Sequence, residues 1–157
     1  MTGDQVARLV SEAFAEVSAP LPTEIAHCRE CEIWVTRFLA GLPSDWRQIA
    51  DDDIASEYAA LTAVTAEAFR FLLPAYIVWH LHHYEDSVSN TVDHLIYQLT
   101  RGDATDPHIA EGYESLSQPQ VQAVAAFLEF VVGQRQDPIL AADARLALAS
   151  YWQVRAV

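Results

Sequence analysis

A chain of 157 residues has the length for one domain with a real core. Its 52% hydrophobic and 20% charged content exclude disorder, and 5 glycines with 7 prolines are too few for a turn-rich all-β protein. Twenty-two acids against nine bases, all arginine, give a net charge of −13. That field repels phosphates and anionic lipid, so nucleic acid and membrane surfaces are not expected partners; it favours a basic protein partner or, as is commoner, simply keeps the chain in solution.

The start, "MTGDQVARLVSEAF", lacks the basic and apolar regions of a signal peptide. Val6, Leu9, Val10, Ala13, Phe14 and Val17 instead form a helical stripe that Thr2 or Asp4 can cap. Pro20 and Pro22 break it within "SAPLPTEIAH", a connection inside the domain. A second helix is predicted from His27 or Cys28 to Ala40, with Cys28, Cys31, Val35, Phe38 and Leu39 inward, closed by Gly41 and Pro43. Ser44 is placed to cap a short helix carrying Trp46 and Ile49. Another short helix begins in the Asp51 to Asp53 run, whose acids suit the positive end of a helix dipole better than a metal.

Thr65 caps the next segment, "AEAFRFLLPAYIVWHLHHY", which is apolar on most faces and belongs at the centre of a bundle. Pro74 is expected to kink or restart it. Its apolar run, Ala68 to Leu81, falls short of the roughly 20 residues a bilayer span needs and carries Arg70, so a cytoplasmic protein is expected. Val92, Leu95, Ile96 and Leu99 mark a further helix ended by Arg101 and Gly102. "DATDPHIAEGYES" reads as a polar loop with at most a helical turn. Ser117 and Gln120 form a capping box for a helix with Val121, Val124, Phe127, Leu128 and Val131 inward. Asp137 and Pro138 start a last helix whose stripe is Ile139, Ala142 and Leu146, ending at Tyr151 and Trp152. No segment alternates with period two. The prediction is an all-α single domain over residues 1–157, a bundle of six or seven helices, two of them short.

The chemistry concentrates in "AHCRECEIW", Ala26 to Trp34. Cys28 and Cys31 share a helix face and sit where the dipole favours thiolate, but the strand-then-helix context of thioredoxin-like redox folds is absent. Two cysteines three apart also cannot staple a secreted fold. Zinc needs four nitrogen or sulfur ligands, and His80 and His83, one helical turn apart, would complete a Cys₂His₂ set with Cys28 and Cys31, leaving His27 spare. The reading favoured over zinc packs Cys31 as a small core hydrophobe, with Cys28 at the cap or rim. Glu24 and His27 form one Glu-x-x-His, and a di-iron bundle needs two. No Gly-x-Ser-x-Gly, Walker loop or Gly-x-Gly-x-x-Gly occurs, so no catalytic residue is assigned.

Four stretches in order, "CRECE" (Cys28 to Glu32), "EAFRFLLPAYI" (Glu67 to Ile77), "LSQPQVQAVAAFLEFV" (Leu116 to Val131) and "ALASYW" (Ala147 to Trp152), resemble a family of small uncharacterised bacterial proteins. Leu73 to Tyr76, Leu-Pro-Ala-Tyr, is the most specific of these elements. The resemblance implies a bacterial single domain of unknown function, carries no activity, and does not include His80, His82 or His83. The expectation for function is a partner-binding module, of which a toxin-neutralising immunity protein is the concrete version. The alternative is a zinc-binding protein, structural or enzymatic.

Overall fold

Thr2 opens helix α1 (Gly3–Ala13) through a capping box: its hydroxyl accepts from the Gln5 amide, and the Gln5 side chain accepts from the Thr2 amide. Val6 and Val10, with Phe14 just past the end, are buried, and Leu9, Ala13 and Val17 pack at the core edge. The chain is seen here as a computed structural model. It describes residues 1–39, 41–100, 107–134 and 137–157, with the side chains of 34–37 and 39 left outside the description. The expected stops and stripe members falling there (Val35, Leu39, Ala40, Arg101, Gly102 and the start of "DATDPHIAEGYES") lie outside the described residues.

Helix α2 (Arg29–Leu39) follows a short 3₁₀ turn at Pro22–Glu24. The turn carrying Trp46, Trp46–Gln48, is capped by the Asp45 carboxylate accepting from the Arg47 amide, not by Ser44. Trp46 is buried and its indole N–H donates to the Phe14 carbonyl at 3.1 Å, tying this turn to the end of α1. Helix α3 (Asp51–Ser56) begins in the triple-aspartate run as expected.

Helix α4 (Ala66–His83) is the centre of the bundle, with twelve of its residues buried, and it packs against α1 and α3 and against two helices still to come. Thr65 caps it by accepting from the Ala68 amide at 3.3 Å. Pro74 lies inside the helix without ending it, so the expected restart does not occur. The ring removes one amide donor, while Leu73, Pro74 and Ala75 are all buried, and tertiary packing outweighs the lost bond.

Helix α5 (Thr91–Leu99) and helix α6 (Pro107–Glu114) both lie on α4. The second of these corrects the loop expected there. Ile109 and Tyr113 are buried, the Tyr113 hydroxyl donates to the Gln98 carbonyl, and Gly112 lets the Phe69 ring approach where a Cβ would meet it at 3.1 Å.

Helix α7 (Gln118–Gly133) packs on α1 and on helix α8 (Pro138–Ala147). The Ser117 amide donates to the Gln120 side chain at 3.0 Å, and Asp137 accepts from the Ile139 and Leu140 amides. The stripe expected on α8 is corrected: Ile139 and Leu146 are exposed at 75% and 59%, while Leu140, Ala141, Ala144 and Ala147 are buried. A π turn, Leu148–Trp152, then continues the helix and carries Tyr151 and Trp152 inward. The Trp152 indole donates to the Leu99 carbonyl at 2.9 Å, locking the end of the chain to α5.

The fold is all-α. Among the described residues there is no strand, only an isolated antiparallel bridge between Ala26 and Val64, and no helix is long and apolar enough to cross a membrane.

Candidate metal centre

That bridge builds the site. The Thr65 amide donates to the Ile25 carbonyl at 2.7 Å, the His27 amide to the Ala63 carbonyl at 3.3 Å, and the Thr65 hydroxyl to the Glu24 carbonyl at 2.6 Å. The approach to α2 is thereby fastened to the approach to α4, although nearly forty residues of chain separate them. Ile25 and Val64 are buried beneath the strap, so it rests on the core. Beyond it the chain turns into α2, and His27, Cys28 and Cys31 emerge together.

One ligand atom from each of these three residues lies within 4.8 Å of the other two. His27 is half-buried, Cys28 exposed and Cys31 intermediate. Cys28 caps α2, its sulfur accepting from the Cys31 amide at 3.1 Å. Its thiol is held below the ordinary value first by a hydrogen bond with the Cys31 side chain and then by that backbone bond. Cys31 goes the other way, pushed up to about 11 by burial and then by the Cys28 sulfur beside it. The Cys31 sulfur stands 3.5 and 3.8 Å from the two ring nitrogens of His27.

His27 is oriented by its backbone surroundings. Its Nε2 is 3.1 Å from the Thr62 carbonyl, and a carbonyl only accepts, so Nε2 carries the proton and donates. Nδ1 is then the lone-pair nitrogen. Nε2 is also the nearer of the two to the Cys31 sulfur, at 3.5 Å against 3.8 Å for Nδ1. A histidine with one nitrogen held by a backbone carbonyl has its tautomer and ring angle fixed, as in metal sites. The donor set, one imidazole nitrogen and two sulfurs, suits zinc-class ions rather than magnesium or calcium. Tetrahedral zinc ligands stand about 3.3–3.8 Å from one another, so the group has to close by about 1 Å to grip the ion. Three ligands leave a fourth position. The His108 ring stacks on His27 with centroids 4.2 Å apart and planes 11° apart, the nearest further imidazole.

Of the four residues expected from sequence, the structure brings Cys28 and Cys31 together and adds His27 in place of the other two. His80 is outside the group: it is buried at 1% exposure, stacked on Tyr84 and edge-on to Phe127. His83 is also outside it, and its Nε2 lies 3.0 Å from an Asp51 carboxylate oxygen. Cys31 does pack against the core edge and Cys28 does cap, so the packing alternative and the ligand cluster describe the same two side chains. The signal for His27 was in the sequence as His-Cys-x-x-Cys. His108 had no such signal, because its helix reads as loop.

An all-helical domain with a His-Cys-x-x-Cys cluster at a helix entrance is the class that fold and site define. Within it, the chain belongs to a family of unknown function, DUF6714, whose family model matches residues 2–156. Compared with the curated proteins and with the solved structures, the chain matches none.

Proposed function

We propose that the protein binds a zinc-class ion through His27 Nδ1, Cys28 Sγ and Cys31 Sγ, with the fourth position taken by water or by His108 after its ring turns. The observation that carries this reading is the convergence of three soft or borderline ligand atoms within 4.8 Å, one of them an imidazole whose other nitrogen is already held by the Thr62 carbonyl. Such an ion bridges the strap and α2. It fixes structure at that junction and, with an open fourth position, polarises a bound water. The test is zinc per chain by plasma mass spectrometry on reduced, untagged protein. About one zinc is expected, lost in Cys28→Ser/Cys31→Ser and weakened in His27→Ala, with His80→Ala and His83→Ala unchanged. Protein that retains no zinc, or loses it only when His80 or His83 is removed, defeats the assignment.

A second reading, a binding module for a basic protein such as a toxin to be neutralised, is favoured by a different feature. A groove of about 430 Å³ between α5 and the start of α8 is lined by the rings of Tyr58, His94 and Tyr97 and the carboxylates of Asp93, Asp137 and Asp143, with no arginine among its lining residues. Carboxylates and ring faces both favour a guanidinium or ammonium group, and the net charge of −13 speeds a basic partner's approach. Titration with an arginine-rich peptide tests it. Binding is expected to fall with salt and in Asp93→Asn/Asp143→Asn, and peptide binding indifferent to both changes defeats it.

A further inference from the structure

We propose that Cys28 and Cys31 are a thiol–disulfide exchange pair, in which Cys28 meets an incoming low-molecular-weight disulfide of the glutathione class and Cys31 resolves the product. The two sulfurs lie within 4.8 Å of each other, with the Cys28 sulfur already turned toward α2 by the Cys31 amide it accepts from. A bond of about 2.05 Å is within the reach of a pair three residues apart at a helix start. Access assigns the roles. Cys28 is exposed and reachable by a bulky disulfide, whereas Cys31 is partly covered and packed against the core edge. His27 supplies the third part: its Nδ1, the unprotonated ring nitrogen, is 3.8 Å from the Cys31 sulfur.

The exchange balances in two steps. The Cys28 thiolate attacks one sulfur of the glutathione disulfide, forming a Cys28–glutathione bond and expelling one glutathione thiolate, which takes up the proton Cys28 gave to solvent. Cys31 then attacks the Cys28 sulfur, its proton passing to His27 Nδ1. The Cys28–Cys31 bond forms as the second glutathione leaves, and the proton on His27 passes through solvent to it. Two protein thiols are oxidised and one disulfide is reduced to two thiols. The exchange goes beyond metal binding and does not need it. One consequence does rest on the metal reading: a closed disulfide removes two of the three ligands, so oxidation and ion binding exclude each other.

The experiment exposes chelator-treated, reduced protein to glutathione disulfide, quenches by alkylation and reads intact mass. Wild type is expected to lose two hydrogens and retain no glutathione. Cys31→Ser should stop with one glutathione on Cys28, and Cys28→Ser should react at least about tenfold more slowly than Cys31→Ser, as its remaining sulfur is partly covered. His27→Asn should still take glutathione onto Cys28 but resolve it more slowly. Wild type that keeps a glutathione on each cysteine, or single variants that react at equal rates, overturns the proposal. A parallel arm with zinc separates it from the metal reading. Exchange in chelated protein that zinc does not slow sinks the ion and leaves the pair. Zinc bound by a protein whose chelated form never closes the disulfide sinks the pair and leaves the ion.

Discussion

Acid should unfold this protein partly through His80. The side chain is 1% exposed, lies flat against Tyr84 and edge-on to Phe127, and its Nδ1 has no hydrogen-bond partner among the described residues. Burial lowers its pKa from 6.5 to about 4, outweighing a backbone hydrogen bond with Val92 that raises it. A base whose folded pKa is depressed binds its proton first in the unfolded chain. Its contribution is therefore fully present above about pH 6.5, is lost as pH falls toward about 4, and changes no further below that. The gap between the two values corresponds to about 2 kcal/mol lost by pH 5 and about 3 kcal/mol by pH 4. Urea unfolding followed by tryptophan fluorescence, at steps from pH 7 to pH 4, measures it. The comparison is with His80→Leu, which fills the site without a titrating group. The wild-type curve should fall more steeply than the variant's by those amounts. Parallel curves across the window would mean that His80 is not a buried neutral base, and the reasoning would fail.

Two further perturbations test the packing. Asp137→Ala removes the carboxylate that accepts from the Ile139 and Leu140 amides and should cost about 1 kcal/mol of stability in the same urea assay, with zinc content unchanged. Gly112→Val places carbon against the Phe69 ring, where even a Cβ would stand 3.1 Å away, and should cost about 1–3 kcal/mol; a neutral result would show that α6 can lift from α4 freely.

The helices that could be read from sequence were those announced by two signals at once. Thr2 with Gln5, and Ser117 with Gln120, each combine a cap with a periodic apolar stripe, and Thr65 precedes eighteen helical residues too apolar to lie anywhere but the centre. Helix α6 carried neither signal. It is eight residues long, and its glycine, which reads as a loop former, is there because of the Phe69 ring, a contact made across the bundle. On α8 the ranking of side chains by hydrophobicity misplaced the face. The large Ile139 and Leu146 are exposed while Leu140 and three alanines are buried, and apolar size says nothing about which face a helix turns to its neighbours. The site followed the same division. Cys28 and Cys31 declare themselves by spacing and His27 by standing next to them, while the orientation of its ring depends on Thr62, a partner thirty-five residues away. His80 and His83 lie outside that group, one buried and the other against Asp51, and neither placement is expressed by periodicity.

Thr65 joins these two levels, because one hydroxyl serves both the fold and the site. It accepts from the Ala68 amide as the cap of α4 and donates to the Glu24 carbonyl as part of the strap that presents His27 and Cys28. A group shared in this way couples the two by linkage: whatever the ion gains from a fixed strap, the strap gains from the ion. Thr65→Ala should therefore cost about 2 kcal/mol, about half from the lost cap and half from the lost strap bond. Only the strap half, about 1 kcal/mol, can reach the metal, which limits the loss of zinc affinity to about fivefold. Thr65→Ser keeps the hydroxyl and should restore both. Asp137→Ala, a cap of similar worth remote from the strap, should lower stability without moving zinc affinity. If Thr65→Ala and Asp137→Ala lose stability alike and neither changes zinc binding, the strap does not position the ligands, and His27 owes its place to the Thr62 carbonyl alone.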